Sequence, residues 1–384
     1  MTTMLDILSV VGARPQFVKL APLARALHAR QEVQHRIVHT GQHYDDRMSS
    51  IFFEQLALPT PELNLGVGSG SHGQQTADML RGIEACLLEQ RPDAVLVYGD
   101  TNSTLAAVMA ATKLHIPVAH VEAGLRSYDR HMPEEINRLA ADHCSDRLYA
   151  PTPLAMANLA RENLAERAVL SGDVMRDAVI AHHDIALAES RVLEQLDLAD
   201  QPFVLVTLHR PVNTTRESLT QLLHGLMASL DNSMRVIFPM HPRTRAVLGS
   251  TIDALPPALS VIDPLAYLDM LRIASAAGLI MTDSGGLQKE AAFLRTPCIT
   301  AREQTEWVET VDMGVNRLVG RDLTRLAAAL DHFLHGPDPF TPETAICMDN
   351  EYGKGDAAQR HCDDLVEWLG AASIAAASTG GDPT

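Results

Sequence analysis

Residues 94–138 read AVLVYGDTNSTLAAVMAATKLHIPVAHVEAGLRSYDRHMPEEINR. Two apolar runs, Ala94–Tyr98 and Pro117–Val121, flank a segment with helical periodicity, Ser103–Lys113. A strand, a helix and a second strand in this order predict a β-α-β crossover, so we expect the two strands to be parallel neighbours.

Each of the two predicted strands is followed closely by an acidic residue. Asp100 comes after Tyr98-Gly99, and Glu122 comes directly after Val121. Both carboxylates should therefore lie at the carboxyl edge of the sheet, where open α/β sheets bind their ligands. Taken singly, Asp100 could be a helix cap and Glu122 a loop acid held by backbone amides. Their equivalent positions favour a shared site.

A third acidic group, Glu134 within the pair Glu134-Glu135, opens the next helical segment. Carboxylates that converge on one crevice are typical of enzymes that transfer protons. The sequence therefore offers three acid/base candidates within forty-five residues.

Strand and helix patterns alternate along the rest of the chain, which predicts an α/β fold built on doubly wound parallel sheets. The length of 384 residues is too great for one ordinary core, so we expect two domains. The first domain is predicted over residues 1–172 and the second over residues 173–356. A helix over residues 357–370 could pack back on the first domain, and residues 371–384 are predicted to be a disordered tail.

Composition excludes several classes of protein. The chain has 31 basic and 48 acidic residues, a net charge of −17, and no basic cluster that could bind nucleic acid. Its five cysteines form no CxxC pair, which favours a reducing compartment. The first residues contain neither a signal peptide nor a membrane-spanning run. We therefore expect a cytoplasmic protein that contacts neither membrane nor nucleic acid and holds anions with a few local groups.

Basic residues follow the first predicted strand. Arg14 and Lys19 lie about one helical turn apart in the segment GARPQFVK, residues 12–19. Together with a helix N-terminus they could hold a phosphate or a carboxylate. The alternative is that both are solvated surface side chains.

A small-residue turn occupies the matching place in the second predicted domain. Ser284, Gly285 and Gly286 separate an apolar run from a helical segment, so their backbone amides could bind phosphate oxygens. Glu290, two turns further along the helix, could reach a ribose. A simple capped turn is the alternative.

Further basic groups follow other strand-like runs of the second domain. His209 and Arg210 follow Phe203–Thr207, and His241 follows the next run. His209 could act as a general acid or base, although a lone histidine is often structural. Arg302 opens the polar segment REQTEWVE. The histidines lack the spacing of metal ligands, so no metal is predicted.

These motifs occur in an order that resembles the non-hydrolysing UDP-N-acetylglucosamine 2-epimerase family. The resemblance extends from Leu5 to Gly370 and rests on these segments: HTGQH (39–43), YGDTNST (98–104), HVEAGLRS (120–127), MPEEINR (132–138), LHR (208–210), TDSGGLQKEA (282–291) and REQTEW (302–307).

The resemblance implies two Rossmann-like domains in the GT-B arrangement with an active site in the cleft between them. It also implies a homodimer without a metal or nicotinamide cofactor. In the implied reaction a base removes the proton from sugar C2 while UDP leaves C1. UDP then adds back to the 2-acetamidoglucal intermediate after C2 is reprotonated on its other face.

The resemblance also implies roles for individual residues. The acid/base candidates are Asp100, Glu122 and Glu134, with His209 and Arg138 supporting the site. The residues expected to bind the substrate are Arg14, Lys19, Arg138, Arg210, His241, Ser284, Gly285, Gly286, Glu290 and Arg302.

Two departures leave the substrate open. Gln16 and the pair Trp307-Val308 replace residues that are common in the family, and both resemble relatives that act on UDP-2,3-diacetamido-2,3-dideoxyglucuronate. UDP-N-acetylglucosamine is the expected substrate and the diacetamido uronate is the alternative. A GT-B glycosyltransferase is an alternative of another class, and a hydrolysing relative that releases free sugar remains a further one.

Overall fold

The computed structural model describes residues 4–42, 52–199, 201–231, 234–249, 252 and 256–378. The chain divides into two compact units. Unit 1 comprises Met1–Ala178 and Glu351–Thr384, and unit 2 comprises Val179–Asn350. The sequence placed the corresponding domain boundaries after residues 172 and 356.

Unit 1 contains a seven-stranded sheet in the order β3-β2-β1-β4-β5-β6-β7, in which all paired strands are parallel. The strands are β1 Leu5–Val11, β2 Val33–His39, β3 Leu63–Asn64, β4 Ala94–Tyr98, β5 Val118–Val121, β6 Arg147–Ala150 and β7 Ala168–Leu170. The order reverses between β1 and β4, which makes their carboxyl ends a topological switch point. Strands β4 and β5 pair in parallel with Tyr98 opposite Val121, which confirms the predicted crossover.

The helices of unit 1 pack their apolar faces on this sheet. Their bounds are Arg14–His28, His72–Glu89, Asn102–Lys113, Pro133–Cys144, Pro153–Arg161 and Ala357–Ser378. The helix Asn102–Lys113 is rich in alanine, so it lies close to the strands, and Ala106, Ala107 and Val108 are fully buried. Thr101 caps its N-terminus by accepting a hydrogen bond from the Thr104 amide.

The last helix of unit 1 returns from a distant part of the sequence. The Asp177 carboxylate accepts hydrogen bonds from the amides of Ala357 (3.3 Å) and Ala358 (2.7 Å). Asp364 of the same helix forms an ion pair with Arg147 and accepts a hydrogen bond from Tyr149 Oη at 2.9 Å. Strand β6 is therefore tied to a helix more than two hundred residues later in the chain.

Unit 2 contains a six-stranded parallel sheet in the order β10-β9-β8-β11-β12-β13. The strands are β8 Phe203–Thr207, β9 Arg235–Pro239, β10 Leu259–Ile262, β11 Leu279–Thr282, β12 Cys298–Thr300 and β13 Asn316–Leu318. Alternate residues of β8 enter different hydrophobic clusters, with Val204 and Val206 in one and Phe203 and Leu205 in the other. Because strand side chains alternate between faces, both faces of this sheet are covered.

The helices between residues 174 and 352 belong wholly or mostly to unit 2. Their bounds are Val174–Glu189, Val192–Gln195, Arg216–Ala228, Pro242–Leu248, Tyr267–Ala276, Gly285–Phe293, Val308–Asp312, Leu323–His335 and Pro342–Tyr352. The prediction of an α/β fold with two doubly wound parallel sheets is confirmed. No helix within the described part of the chain combines the length and the apolar character that a bilayer-spanning segment needs.

The structure differs from the sequence prediction in several elements. Helices Leu323–His335 and Pro342–Tyr352 and the short strand β3 were not predicted. The tail predicted to be disordered over residues 371–384 is helical as far as Ser378, because its alanines are strong helix formers. Residues 379–384 of that tail lie outside the described residues.

Candidate active site

Glu122 lies immediately after β5 and is held in an unusual backbone conformation. Its φ angle is +70°, in the left-handed region that favours glycine, and its side chain is buried. The carboxylate forms an ion pair with Lys19 of the first helix, which is also buried. A strained residue with a buried charge pair at the end of a central strand indicates a functional position.

Gly99 leaves the room that this ion pair needs. A Cβ atom on Gly99 would lie 2.9 Å from Lys19 Nζ and 3.4 Å from Glu122 Oε1, and the φ angle of Gly99 is +60°. The turn that carries Asp100 therefore passes directly beside the pair. Asp100 and Glu122 follow the paired strands β4 and β5 at the same edge of the sheet, as the crossover predicted, and Lys19 joins Glu122 there.

Asp100 is oriented by the helix Pro133–Cys144. Its carboxylate forms an ion pair with Arg138, and its backbone carbonyl accepts a hydrogen bond from Asn137 Nδ2 at 2.9 Å. The Arg138 side chain is 5% exposed, whereas that of Asp100 is 26% exposed. The carboxylate is thus fixed on one side by a buried guanidinium and open to solvent or ligand on the other.

The two adjacent glutamates of this helix differ in their surroundings. Glu134, the acid/base candidate, lies exposed in the first turn. Glu135 is buried and accepts hydrogen bonds from the amides of Ser127 (2.9 Å) and Tyr128 (3.0 Å) and from Arg138 Nη1 (2.7 Å). Glu135 therefore fixes the loop that follows Glu122, and Glu134 stays a proposed acid/base group.

Gln16 fixes the turn that carries Arg14. Its Oε1 accepts hydrogen bonds from the amides of Gly12 (2.8 Å) and Ala13 (3.1 Å), and its Nε2 donates to the Tyr98 carbonyl at 2.9 Å. One buried amide thus joins the end of β1 to the end of β4. Arg14 itself is half-buried, with its guanidinium 5.5 Å from the centre of the Phe52 ring.

In unit 2, a buried aspartate organises the corresponding strand ends. Asp283 follows β11 and accepts hydrogen bonds from the amides of His209 and Arg210, both at 3.0 Å, and from Asn213 Nδ2 at 2.9 Å. It also faces His209 Nδ1 at 3.0 Å. Burial raises the pKa of Asp283, but hydrogen bonds from His209 and Asn213 outweigh it and lower the pKa below its usual value.

This arrangement leaves the other edge of the His209 ring available. The His209 side chain is 56% exposed, whereas Asp283 is completely buried. An aspartate that accepts from Nδ1 selects the tautomer whose Nε2 can accept a proton. Arg210 is fixed as well, since its Nε donates to the Asp283 carbonyl at 3.1 Å.

The helix Gly285–Phe293 begins with an N-terminus suited to anions. Ser284 is its cap and accepts a hydrogen bond from the Leu287 amide. Gly285 and Gly286 supply the first turn, and both are only half-buried, so their amides can face a ligand. The structure shows a serine-capped helix N-terminus, and phosphate binding at this turn stays a prediction.

Deeper in this helix, Glu290 is buried in apolar surroundings. Burial raises the pKa of Glu290 to about 7, although the charge of Lys289 lowers it. The Lys289 ammonium is buried 3.7 Å from the centre of the Trp307 ring, a cation–π contact. Glu290 is therefore a carboxyl group that changes charge near neutral pH.

The remaining two candidates differ in their availability. The Arg302 guanidinium forms two 2.9 Å hydrogen bonds with the Glu306 carboxylate, and both side chains are buried. His241 is exposed beyond the carboxyl end of β9. Within the described residues, no group of three or more His, Cys, Asp or Glu side chains is arranged to hold a metal ion.

The supporting roles of three residues were not predicted from the sequence: Gln16, Glu135 and Asp283. Gln16 and Asp283 stand inside quoted motifs, but a buried amide or carboxylate looks the same in a sequence as an exposed one. Only the fold shows that each joins the ends of neighbouring strands.

Comparison with known proteins identifies the family. The family model described as UDP-N-acetylglucosamine 2-epimerase matches residues 25–366. This chain belongs to that family. The resemblance drawn from the ordered motifs is thereby confirmed.

Individual members of the family align over almost the whole chain. A UDP-N-acetylglucosamine 2-epimerase homologue of Methanococcus maripaludis is 46% identical over 86% of this chain and 92% of its own length. The UDP-2,3-diacetamido-2,3-dideoxy-D-glucuronate 2-epimerase of Pseudomonas aeruginosa is 44% identical over 94% of this chain and all of its own.

A solved structure extends the comparison to the backbone. The crystal structure of UDP-GlcNAc 2-epimerase from Methanocaldococcus jannaschii, in complex with UDP-GlcNAc and UDP, superposes with a TM-score of 0.86. It is 40% identical in sequence and covers 94% of this chain and all of that one. The family's fold is thus reproduced over nearly the full length.

Proposed function

We propose that this protein is a UDP-N-acetylglucosamine 2-epimerase that interconverts UDP-GlcNAc and UDP-ManNAc. The family membership and the similarity to a structure described in complex with UDP-GlcNAc and UDP support the substrate class. The observation that carries the chemistry is the position of two carboxylates, Asp100 and Glu122, at the ends of paired strands and each against a buried cation.

The reaction needs separate proton-transfer groups because C2 changes configuration. A base takes the C2 proton as the C1–O bond to UDP breaks, giving 2-acetamidoglucal and UDP. A proton is then delivered to the other face of C2 as a UDP oxygen bonds to C1. Asp100, Glu122 and Glu134 are the proposed proton-transfer groups, since a single group cannot serve both faces.

The developing negative charge on the departing diphosphate needs cationic groups and backbone amides. The groups proposed to meet this need are Arg14, Arg210, His241, Arg302 and the Ser284–Gly286 turn. His209, oriented by Asp283, is proposed to exchange a proton during departure or return of UDP. Both terminal nitrogens of Arg302 donate hydrogen bonds to Glu306. Arg302 would therefore contact the ligand through Nε, or through its terminal nitrogens after the hydrogen bonds to Glu306 rearrange.

The test is proton NMR of the purified protein in deuterated water with UDP-GlcNAc. We expect UDP-ManNAc to form with deuterium at C2, because the abstracted proton exchanges with solvent. Asp100→Asn should reduce turnover by about 10²–10⁴-fold while the Kd for UDP stays within a few-fold of the wild type. Asp78→Asn, which removes a surface carboxylate paired with Arg81, is the matched control.

Other outcomes assign other activities. Release of free ManNAc and UDP would identify a hydrolysing enzyme. Folded, UDP-binding protein that leaves UDP-GlcNAc unchanged would overturn the proposal. The diacetamido uronate would then be tested next, since the 44% identical relative is named for that substrate.

We further propose a cytoplasmic homodimer that needs neither metal nor nicotinamide. All five cysteines are free, which supports a reducing compartment. Light scattering on the eluting protein would measure the subunit number. Activity that survives exhaustive treatment with EDTA would support independence from metal ions.

A further inference from the structure

A completely buried histidine lies between the two carboxylate-bearing turns of unit 1. His120 belongs to β5, and its side chain has no exposed surface. Its Nε2 lies 2.7 Å from the carbonyl oxygen of Gly99, and its Nδ1 lies 2.7 Å from Asp142 Oδ1. Asp142 belongs to the helix Pro133–Cys144 and is equally buried.

The Gly99 partner of the ring can only accept a hydrogen bond. A backbone carbonyl oxygen has lone pairs and no proton, so the 2.7 Å contact with Gly99 is a hydrogen bond in which His120 Nε2 donates. On its other side the ring meets the Asp142 carboxylate, which fixes its orientation.

Further hydrogen bonds extend the cluster around the ring. Asp142 Oδ2 accepts hydrogen bonds from Arg126 Nη1 at 2.7 Å and from the Gly124 amide at 3.0 Å. Arg126 also forms paired 2.7 Å hydrogen bonds with Glu162. The cluster therefore joins β5, the helix Pro133–Cys144 and the loop after Glu122 through polar side chains.

The cluster holds the two catalytic turns through their backbones. The Gly99 carbonyl belongs to the residue before Asp100, and the Gly124 amide lies two residues after Glu122. These hydrogen bonds of His120 and Asp142 reach the backbone of both turns. None of them is made to the side-chain carboxylate of Asp100 or Glu122. A displacement of about 1 Å in a reacting group can reduce a rate by about 10²-fold.

We propose that His120 and Asp142 are positioning residues that set the separation of Asp100 and Glu122 through the Gly99 carbonyl and the Gly124 amide. This proposal rests on the proposed epimerase function of the same turns. It assigns a role to the histidine that precedes the acidic residue in the segment HVEAGLRS. A residue that only stabilised the fold would change turnover no more than the shift in the unfolding midpoint accounts for.

Two substitutions separate the bonds of the ring. In His120→Gln, the amide nitrogen can stand near the position of Nε2 and donate to the Gly99 carbonyl. In His120→Asn, the shorter amide can stand near Nδ1 and donate only to Asp142. We expect kcat to fall by about 10²-fold in the asparagine variant with KM within a few-fold, and by about tenfold or less in the glutamine variant.

Glu162→Gln is the matched control, because it weakens the same buried cluster at its partly exposed end, away from both turns. It should lower the unfolding midpoint with kcat within about threefold of the wild type. The proposal is overturned if His120→Asn retains wild-type kcat, or if kcat follows the unfolding midpoint across all three variants.

A spectroscopic measurement tests the ring independently of turnover. In protein labelled with ¹⁵N-histidine, Nε2 of His120, assigned by comparison with His120→Gln, should show a directly bonded proton, because the Gly99 carbonyl can only accept. An Nε2 without a bonded proton would overturn the proposal. Failure of the wild type to epimerise UDP-GlcNAc would count against the proposed function. The positioning role is tested separately, by the ratios of kcat between each variant and the wild type, measured with the substrate that the wild type converts.

Discussion

Replacing Asp283 with asparagine should invert the hydrogen-bonding role of the His209 ring. Asp283 Oδ1 faces the His209 amide and His209 Nδ1, both at 3.0 Å, and Oδ2 faces the Arg210 amide and Asn213 Nδ2. In Asp283→Asn, one oxygen becomes an NH₂ group. Of the four groups that face this side chain, only His209 Nδ1 can accept a hydrogen bond as well as donate one. The NH₂ group should therefore take the Oδ1 position, which faces His209 Nδ1.

The expected effect on stability is moderate. The Arg210 amide and Asn213 Nδ2 keep an oxygen acceptor, and the His209 amide can use the same oxygen, which lies 3.2 Å from it in the wild type. One part-buried donor thus exchanges a 3.0 Å acceptor for one at 3.2 Å, which costs at most the net value of one hydrogen bond, about 0.5–1.5 kcal/mol in the free energy of unfolding.

The expected effect on turnover is larger. A ring that accepts at Nδ1 carries its proton on Nε2, so the outward nitrogen no longer accepts a proton. Selecting the wrong tautomer lowers kcat by about 10⁴-fold in a serine protease triad, and we expect about 10²–10⁴-fold here.

The measurement is kcat by NMR together with the Kd for UDP by calorimetry. Asp263→Asn is the matched control, because that carboxylate is 94% exposed in the same unit and should change neither quantity. If Asp283→Asn folds and keeps kcat within threefold of the wild type, the reasoning about the His209 tautomer is wrong.

Three further substitutions test other contacts. Lys19→Met removes the buried cation paired with Glu122, so urea denaturation should show a loss of about 3–5 kcal/mol, most of which is regained by adding Glu122→Gln. Gly99→Ala places a Cβ 2.9 Å from Lys19 Nζ at a φ of +60° and should lower the thermal unfolding midpoint, whereas Gly73→Ala, with open space around it, should not. Burial raises the pKa of Glu290 from 4.5 to about 7, so the folded state retains a proton that the unfolded state releases, and wild-type stability decreases as pH rises through that window. Glu290→Gln should therefore gain about 3 kcal/mol relative to the wild type between pH 4 and pH 8 by calorimetry, and a difference independent of pH would contradict the assignment.

The sequence predicted the central crossover because its signals are local. The runs Ala94–Tyr98 and Val118–Val121 are buried parallel strands, and such strands are apolar at every position. The placement of Asp100 and Glu122 at one edge then follows from chain direction alone. Helix Leu323–His335 had comparable signals, an apolar face and the cap Asp322, so it could have been predicted as well.

The roles of individual acids could not be predicted in the same way. Glu134 and Glu135 are identical in type and adjacent, and only the rotation of about 100° per helical residue exposes one and buries the other. Asp142 and Asp283 resemble surface acids in the sequence, yet both are completely buried. Their partners come from distant segments that only the folded chain brings together.

The return of the helix Ala357–Ser378 to unit 1 affects the order in which the protein can form during synthesis. Unit 2 is one continuous stretch, so it can complete its sheet as soon as it leaves the ribosome. Unit 1 must wait for its last helix, which arrives about 10–40 s after Ala178 at ordinary rates of translation. During that interval Arg147 and Tyr149 of β6 lack their partner Asp364, so unit 1 depends longer than unit 2 on protection from aggregation.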